Sequence, residues 1–302
     1  MAAALIAVVI VLVLGHAAPA FADAVRDHGW YARWLRWLDA RFPEGSFWRG
    51  RWGIALALLP LLMPVLLFQV ALDAPLLGLA GLLLAIAVLF YCWGPRDLDH
   101  DVETILAAPD PASRREAAAR LWPDPAQVAH DGPSLVTAVF HAARRRWFGV
   151  FFWFLLLGAV GALLYRLVSL AAEGGERALL PVETLAGARW LQSALDWPVA
   201  QLMTLALALV GNFDTVIQAW KAHGGADFRL DVDFLGAAGR ASVRAEVAEE
   251  VRDYVEDGVA GPELVARMGE LPELRDAISL CWRILLLWLA VLALLVLAGW
   301  VA

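Results

Sequence analysis

The chain alternates between long uncharged runs and polar stretches, and that alternation predicts its elements. The clearest run lies between Arg144-Arg145-Arg146 and Tyr165-Arg166: about eighteen mostly apolar residues, WFGVFFWFLLLGAVGALL, with basic residues at both ends. At about 1.5 Å of rise per residue a helix of this length covers a hydrocarbon core of about 30 Å. Gly158 and Gly161, with Ala159 and Ala162 beside them, place small residues three apart. That spacing lets another helix approach closely in lipid. The same reading along the whole chain predicts spans at about 3–22, 53–72, 76–93, 147–167, 190–211 and 280–302. The fifth has a short apolar core, Val199–Val210, and either crosses or is re-entrant. The expected fold class is all-α: a single polytopic helical membrane domain of about six spans, with polar helical segments at 23–52, 94–146 and 212–278.

The stretches between the spans refine this outline. After the first run, Ala20-Phe21-Ala22 resembles a secretory cleavage site, but no Lys or Arg precedes the run, so an uncleaved first span is expected. WYARWLRWLDARF spaces Trp30, Trp34, Trp37 and Leu38 at helical intervals with arginines between them, which predicts an amphipathic helix in the membrane interface. Pro60 and Pro64 predict kinks in the second span. The acids Asp97, Asp99, Asp101 and Glu103 suit the positive start of a helix and need no metal to explain them. DPASRREAAARLWPDP reads as a further helix stopped by prolines.

Composition then fixes the class. The chain is 61% hydrophobic and only 18% charged, where soluble domains carry about 25% charged residues. The net charge of −7 says little about nucleic acid, but no basic face appears, so no nucleic-acid partner is expected and the lipid bilayer is the first partner. Segments 23–52, 94–146 and 212–278 carry 6, 7 and 7 Lys and Arg. Six crossings with both termini periplasmic put 20 of the 24 basic residues on the cytoplasmic side, as the positive-inside rule asks. Cys92 and Cys281 lie inside apolar spans and read as inert buried thiols.

The chemistry is sparse. No GxSxG, Walker loop, HExxH or GxGxxG occurs, and the six histidines have no ligand spacing. No catalytic residue, metal site or cofactor is expected; a nucleotide stays open as a ligand, although no loop motif supports it. Three polar stretches stand out as a ligand site or as helix-pairing residues. These are Tyr165-Arg166; Asp196-Trp197-Pro198, where Asp caps a helix and Pro takes its first position; and Gly211-Asn212-Phe213-Asp214, followed by Trp220. Arg166 is expected to pair with Asp196. Arg144, Arg145 and Arg146 are expected to anchor the cytoplasmic face, with Asp214 near it.

In order, FFWFLLLGAVGALLYR, LDWPVAQL and ALVGNFDTVIQAW resemble the CobD/CbiB–AmpE superfamily of inner-membrane proteins. The stretch GHAAPAFADAVRDHGWYARWLRWLDARF is similar to the AmpE branch. The superfamily's enzyme branch joins an aminopropanol-type phosphate to adenosylcobyric acid with ATP. The AmpE branch implies a regulatory or sensory membrane protein linked to β-lactamase regulation and cell-wall recycling, with another inner-membrane or cell-wall-recycling protein as partner. Several positions depart from the enzyme branch. VVIVLVLGHAAPAF lacks its Asp-Pro and His-Pro, Ser169 and Ala172 replace an Asn and an Asp, and Gln201 stands for an Arg. Those losses weaken a Mg-ATP ligase site. The resemblance therefore implies a non-catalytic regulatory role, with a diverged ligase or other membrane transferase as the alternative. A transporter of small solutes or lipid intermediates is the third reading.

Overall fold

The structure, a computed structural model, describes residues 2–17, 28–72, 78–93, 98–123, 128–129 and 131–299. The cleavage-site reading at Ala20–Ala22 and the acid Asp97 lie outside the described residues. Among those residues there are helices and no strand, as the all-α expectation requires. Three helical stretches are long and apolar enough to cross a membrane: Arg51–Leu72, Val182–Val210 and Pro262–Leu297.

The chain divides into two compact units, the first made of Met1–Asp97, Arg145–Asp196 and Leu292–Ala302, the second of Leu98–Arg144 and Trp197–Val291. The first unit contains α1 (Ala2–Ala17), α2 (Gly29–Arg41), α3 (Ile54–Leu72), α4 (Gly78–Cys92), α8 (Gly149–Leu157) and α9 (Ala159–Glu173). At its centre α9 packs against α8, α3 and α4, while α1 lies against α4 and α8. In α3 both Pro60 and Pro64 sit inside one unbroken helix. Helix α2 forms where the Trp/Arg pattern predicts it, but its buried face is Tyr31, Leu35 and Leu38, while Trp37 is 54% exposed and stacks on Trp34. Trp34 Nε1 donates to the Ala57 carbonyl 3.0 Å away, tying α2 to α3.

The second unit is built on α12 (Asp233–Glu256), which packs against α7 (Gly132–Ala143) and α11 (Phe213–Ala222). Phe140 of α7 fills the space over Gly239, and Arg240 donates to Thr137 at 2.5 Å. Around this core lie α5 (Leu98–Leu106), α6 (Pro111–Ala119), α13 (Pro262–Met268) and the first part of α14 (Pro272–Leu297). The helix read in DPASRREAAARLWPDP is α6, started by Asp110, whose carboxylate accepts from Ala112 and Ser113 N–H at 2.9 Å, and it ends at Ala119, before the prolines. Arg283 of α14 pairs with Glu246 of α12 at 2.8 Å. Trp282 Nε1 likewise donates to Asp99 at 2.6 Å.

Two sequence expectations change here. The run 147–167 is not one span. Arg144–Phe148 is a π-helical turn leading into α8, and the helix ends at Gly158, whose φ of 70° and ψ of −151° suit glycine alone. Helix α9 then runs back along α8. A Cβ on Gly161 would lie 2.0 Å from the Trp153 carbonyl oxygen, and one on Gly149 would lie 2.0 Å from the Tyr165 ring. Both contacts join residues 8 and 16 apart, which a continuous helix would separate by about 12 and 24 Å. The glycine spacing does admit a close helix, and that helix is the chain's own preceding arm.

The second change concerns Asp196-Trp197-Pro198. These residues start no helix: α10 (Val182–Val210) runs through them unbroken, with Pro198 inside it. Helix α10 already has four turns before Pro198, so the absent proline N–H is an internal gap and not one of the free donors at a helix start.

Candidate functional site

The hairpin of α8 and α9 gathers the polar groups of the first unit, and its tip depends on one side chain of α3. Where the chain leaves helix at Gly158, the carbonyl of Leu157 and the N–H of Val160 lose helical partners. Gln69 supplies both: its Nε2 donates to Leu157 O at 3.1 Å and its Oε1 accepts from Val160 N at 3.2 Å. Non-helical backbone at membrane depth is tolerated only where such groups are satisfied. A cleft of about 380 Å³ opens beside the tip, lined by Gln69, Gly158, Phe154, Gly81 and Ala3 among mostly apolar neighbours. Sequence reasoning did not place Gln69 in the site. Its signal was an uncharged amide in an otherwise apolar run, a type of residue that is expensive inside a membrane unless it has work to do there.

Further along the hairpin lies the group that contains two of the predicted site residues. Tyr165 is fully buried, and its hydroxyl donates to Asp196 Oδ1 at 2.7 Å. Gln192, one helical turn before Asp196 on α10, donates from Nε2 to Asp196 Oδ2 at 2.8 Å. The carboxyl group, only 2% exposed, has a donor from the chain on each oxygen. Next to it, the carbonyl of Leu195 accepts from Trp153 Nε1 at 3.1 Å. Both arms of the hairpin therefore hold the same turn of α10.

Arg166 does not take the predicted partner. It is 2% exposed, and its Nε donates to the carbonyl of Cys92 at 2.7 Å, closing the end of α4 onto α9. Helical spacing explains the exchange. Tyr165 and Arg166 point about 100° apart on α9, so one faces α10 and the other faces α4. The Nη2 of Arg166 is buried without a hydrogen-bond partner.

The arginine triplet is not a surface anchor. Arg144 and Arg146 are 3% and 5% exposed, and Arg145 pairs with Glu173 at 3.2 Å. That ion pair ties the foot of α8 to the last residue of α9, continuing the register set by Gly149–Tyr165 and Trp153–Gly161.

The remaining predicted residues belong to the second unit. Trp220 Nε1 donates to Gln201 Oε1 at 2.8 Å, and Gln201 Nε2 donates to the Gly225 carbonyl at 2.7 Å. Gln201, the residue in place of the enzyme branch's arginine, thus fixes α11 and the turn after it to α10. Trp197 lies against Phe228 with ring centroids 5.8 Å apart. Gly211 lies beside Ser242 and Leu280, where a Cβ would meet Ser242 Oγ at 2.4 Å. Asn212, not Asp214, caps α11, accepting from Thr215 N–H at 3.1 Å, and Asp214 is an exposed acid in the first turn. Among the described residues no group of three His, Cys, Asp or Glu is placed to hold a metal ion. The chain matches no family model, no curated protein and no solved structure.

Proposed function

We propose that this chain is a multi-pass protein of the bacterial inner membrane with a regulatory or sensory role, as its resemblance to the AmpE branch implies. It would act in β-lactamase regulation and cell-wall recycling through another membrane or recycling protein. The observation that supports this reading is the buried Tyr165–Asp196–Gln192 group. Both carboxylate oxygens hold donors from the chain itself, an arrangement suited to joining helices. A buried joint of this kind couples the hairpin to α10, so a change at one moves the other. The experiment is genetic. Deleting the gene is expected to alter β-lactamase induction by a β-lactam, and the wild-type chain to restore it. A Tyr165→Phe/Asp196→Leu variant present in membranes at normal amounts is expected not to restore it. Unchanged induction in the deletion strain would overturn the proposal.

The enzyme reading keeps one supporting observation, the unpartnered Nη2 of Arg166, a buried cationic donor suited to an anion. Purified protein turning over cobyric acid with an aminopropanol phosphate and Mg-ATP would replace the regulatory reading.

A further inference from the structure

Three facts about chain connectivity bear on α10. First, α7 packs on α12 through Phe140–Gly239 and Thr137–Arg240, and α12 packs on α11; the many charges of α12 keep it out of lipid, so the chain between α7 and α11 leaves and returns to one side of any membrane. Second, the α8–α9 hairpin brings its two feet together at Arg145–Glu173, so it too leaves and returns to one side. Third, only residues 174–181 separate the foot of α9 from the start of α10. The chain between α7 and α11 consists of the hairpin, that short turn and α10. A single helix that crossed would strand α11 opposite α7, which the packing forbids.

We infer that α10 does not cross the bilayer but lies in its interface, with the apolar face of its second half in contact with lipid. The inference rests on the membrane reading above and deepens it. The start of α10 has the residues of an interfacial belt. Trp190 meets Trp52 edge-on at 6.0 Å, and the Arg51 guanidinium lies over the Trp190 ring at 5.5 Å, where α3 begins its membrane stretch. Tryptophan and arginine gather at that depth. After Pro198 the helix is apolar on both sides. Val199, Met203 and Leu207 are fully buried, while Leu202, Leu205 and Leu209 are 41%, 52% and 63% exposed, followed by Phe213 at 54%. With Gln201 and Thr204 hydrogen-bonded inside the protein, the exposed side of this half is Leu202, Leu205 and Leu209, and an uncovered apolar helix face of that kind fits lipid, not water. Its length and hydropathy, which qualify it as a crossing on composition, serve this lateral contact.

The charge distribution agrees. With the hairpin and α10 both non-crossing, segment 166–197 and its three arginines join the side that holds 23–52, 94–146 and 212–278. Arg283 is on that side as well, through its pair with Glu246. All 24 Lys and Arg then share one side, where six crossings place 20.

The test uses the full chain in its native membrane. Gly175 and Ala226 are exposed, one before and one after α10, and Cys92 and Cys281 are buried. Gly175→Cys and Ala226→Cys are made separately and treated with a membrane-impermeant maleimide in right-side-out and in inverted vesicles, with the unsubstituted chain as the unlabelled control. Labelling of both in the same vesicle preparation is expected, and labelling in opposite preparations would overturn the inference. A fluorophore on Leu205→Cys gives an independent reading with lipids quenched at two depths. Strongest quenching from the shallow position is expected. Strongest quenching from the bilayer centre, or none from either lipid, would overturn it. Release of the protein by alkaline carbonate would instead overturn the membrane reading underneath.

Discussion

Asp196 is 2% exposed, so the loss of the Tyr165 or the Gln192 donor removes a hydrogen bond from a buried acceptor. Tyr165→Phe is expected to destabilise the protein by about 1–3 kcal/mol, the usual penalty for a buried acceptor left unsatisfied, read as a lowered unfolding midpoint in detergent. Asp196→Leu together with Tyr165→Phe should cost less than the two single changes added, because the pair disappears together. An additive double mutant would show that the contact carries no coupling. A second residue-scale prediction concerns pH. Burial raises the Glu246 carboxyl above its ordinary value, with Arg283 opposing the shift and Asp276 reinforcing it. A carboxyl whose pKa is higher folded than unfolded contributes stability below its unfolded pKa and loses it as pH rises through the folded one. The wild type should therefore lose stability as pH rises just above the ordinary glutamate range, and Glu246→Gln should lack that fall. Parallel midpoint curves for the two from pH 4 to 7 would contradict the shift.

At the scale of elements, the hairpin is the feature that departs most from a plain apolar span. Gly158 sits in a backbone region that costs other residues about 1–3 kcal/mol, and a Cβ there would lie 2.7 Å from the Gln69 amide. Gly158→Ala is expected to destabilise by an amount of that order, and Gln69→Ala to destabilise on its own by unsatisfying Leu157 O and Val160 N. The two should not add, since removing the amide also removes the clash. The hairpin itself can be tested by cross-linking. Arg145→Cys and Glu173→Cys, with a short bis-maleimide, should join within one chain. A continuous helix would hold those positions about 42 Å apart and give no product.

At the scale of the whole molecule, two arrangements of the same apolar content compete: six crossings, or fewer crossings with a re-entrant hairpin and an in-plane helix. Hydropathy cannot separate them, because an apolar helix satisfies lipid whether it stands or lies. Connectivity supports the second, the arrangement inferred above, since α7 and α12 touch and Arg145 meets Glu173. The two cysteines offer a check on packing at this scale. Both thiols are free and fully buried in the folded chain, as the sequence reading of buried thiols expects. A water-soluble maleimide should leave Cys92 and Cys281 unlabelled until detergent and denaturant are added. Rapid labelling of the native protein would place them elsewhere.

The sequence alone determined the helical class, the apolar runs and the start of several helices, because these depend on local composition and spacing. The helix opening at Asp110-Pro111, the α3 stretch from Gly53 and the α2 helix with arginines between tryptophans were all legible in this way. The same holds for Tyr165 and Asp196 as unusual polar residues in apolar surroundings. Their partnership was not legible. Which of two adjacent residues, Tyr165 or Arg166, faces Asp196 depends on the rotation of α9 against α10, and no local pattern encodes that rotation. The direction of the Arg144–Arg166 run was hidden for a related reason. Eighteen apolar residues satisfy the bilayer equally as one crossing or as two arms of a hairpin. The choice fell to Gly158, to the close approach of Trp153 and Gly161, and to a glutamine on a distant helix that could take up the backbone groups left at the bend.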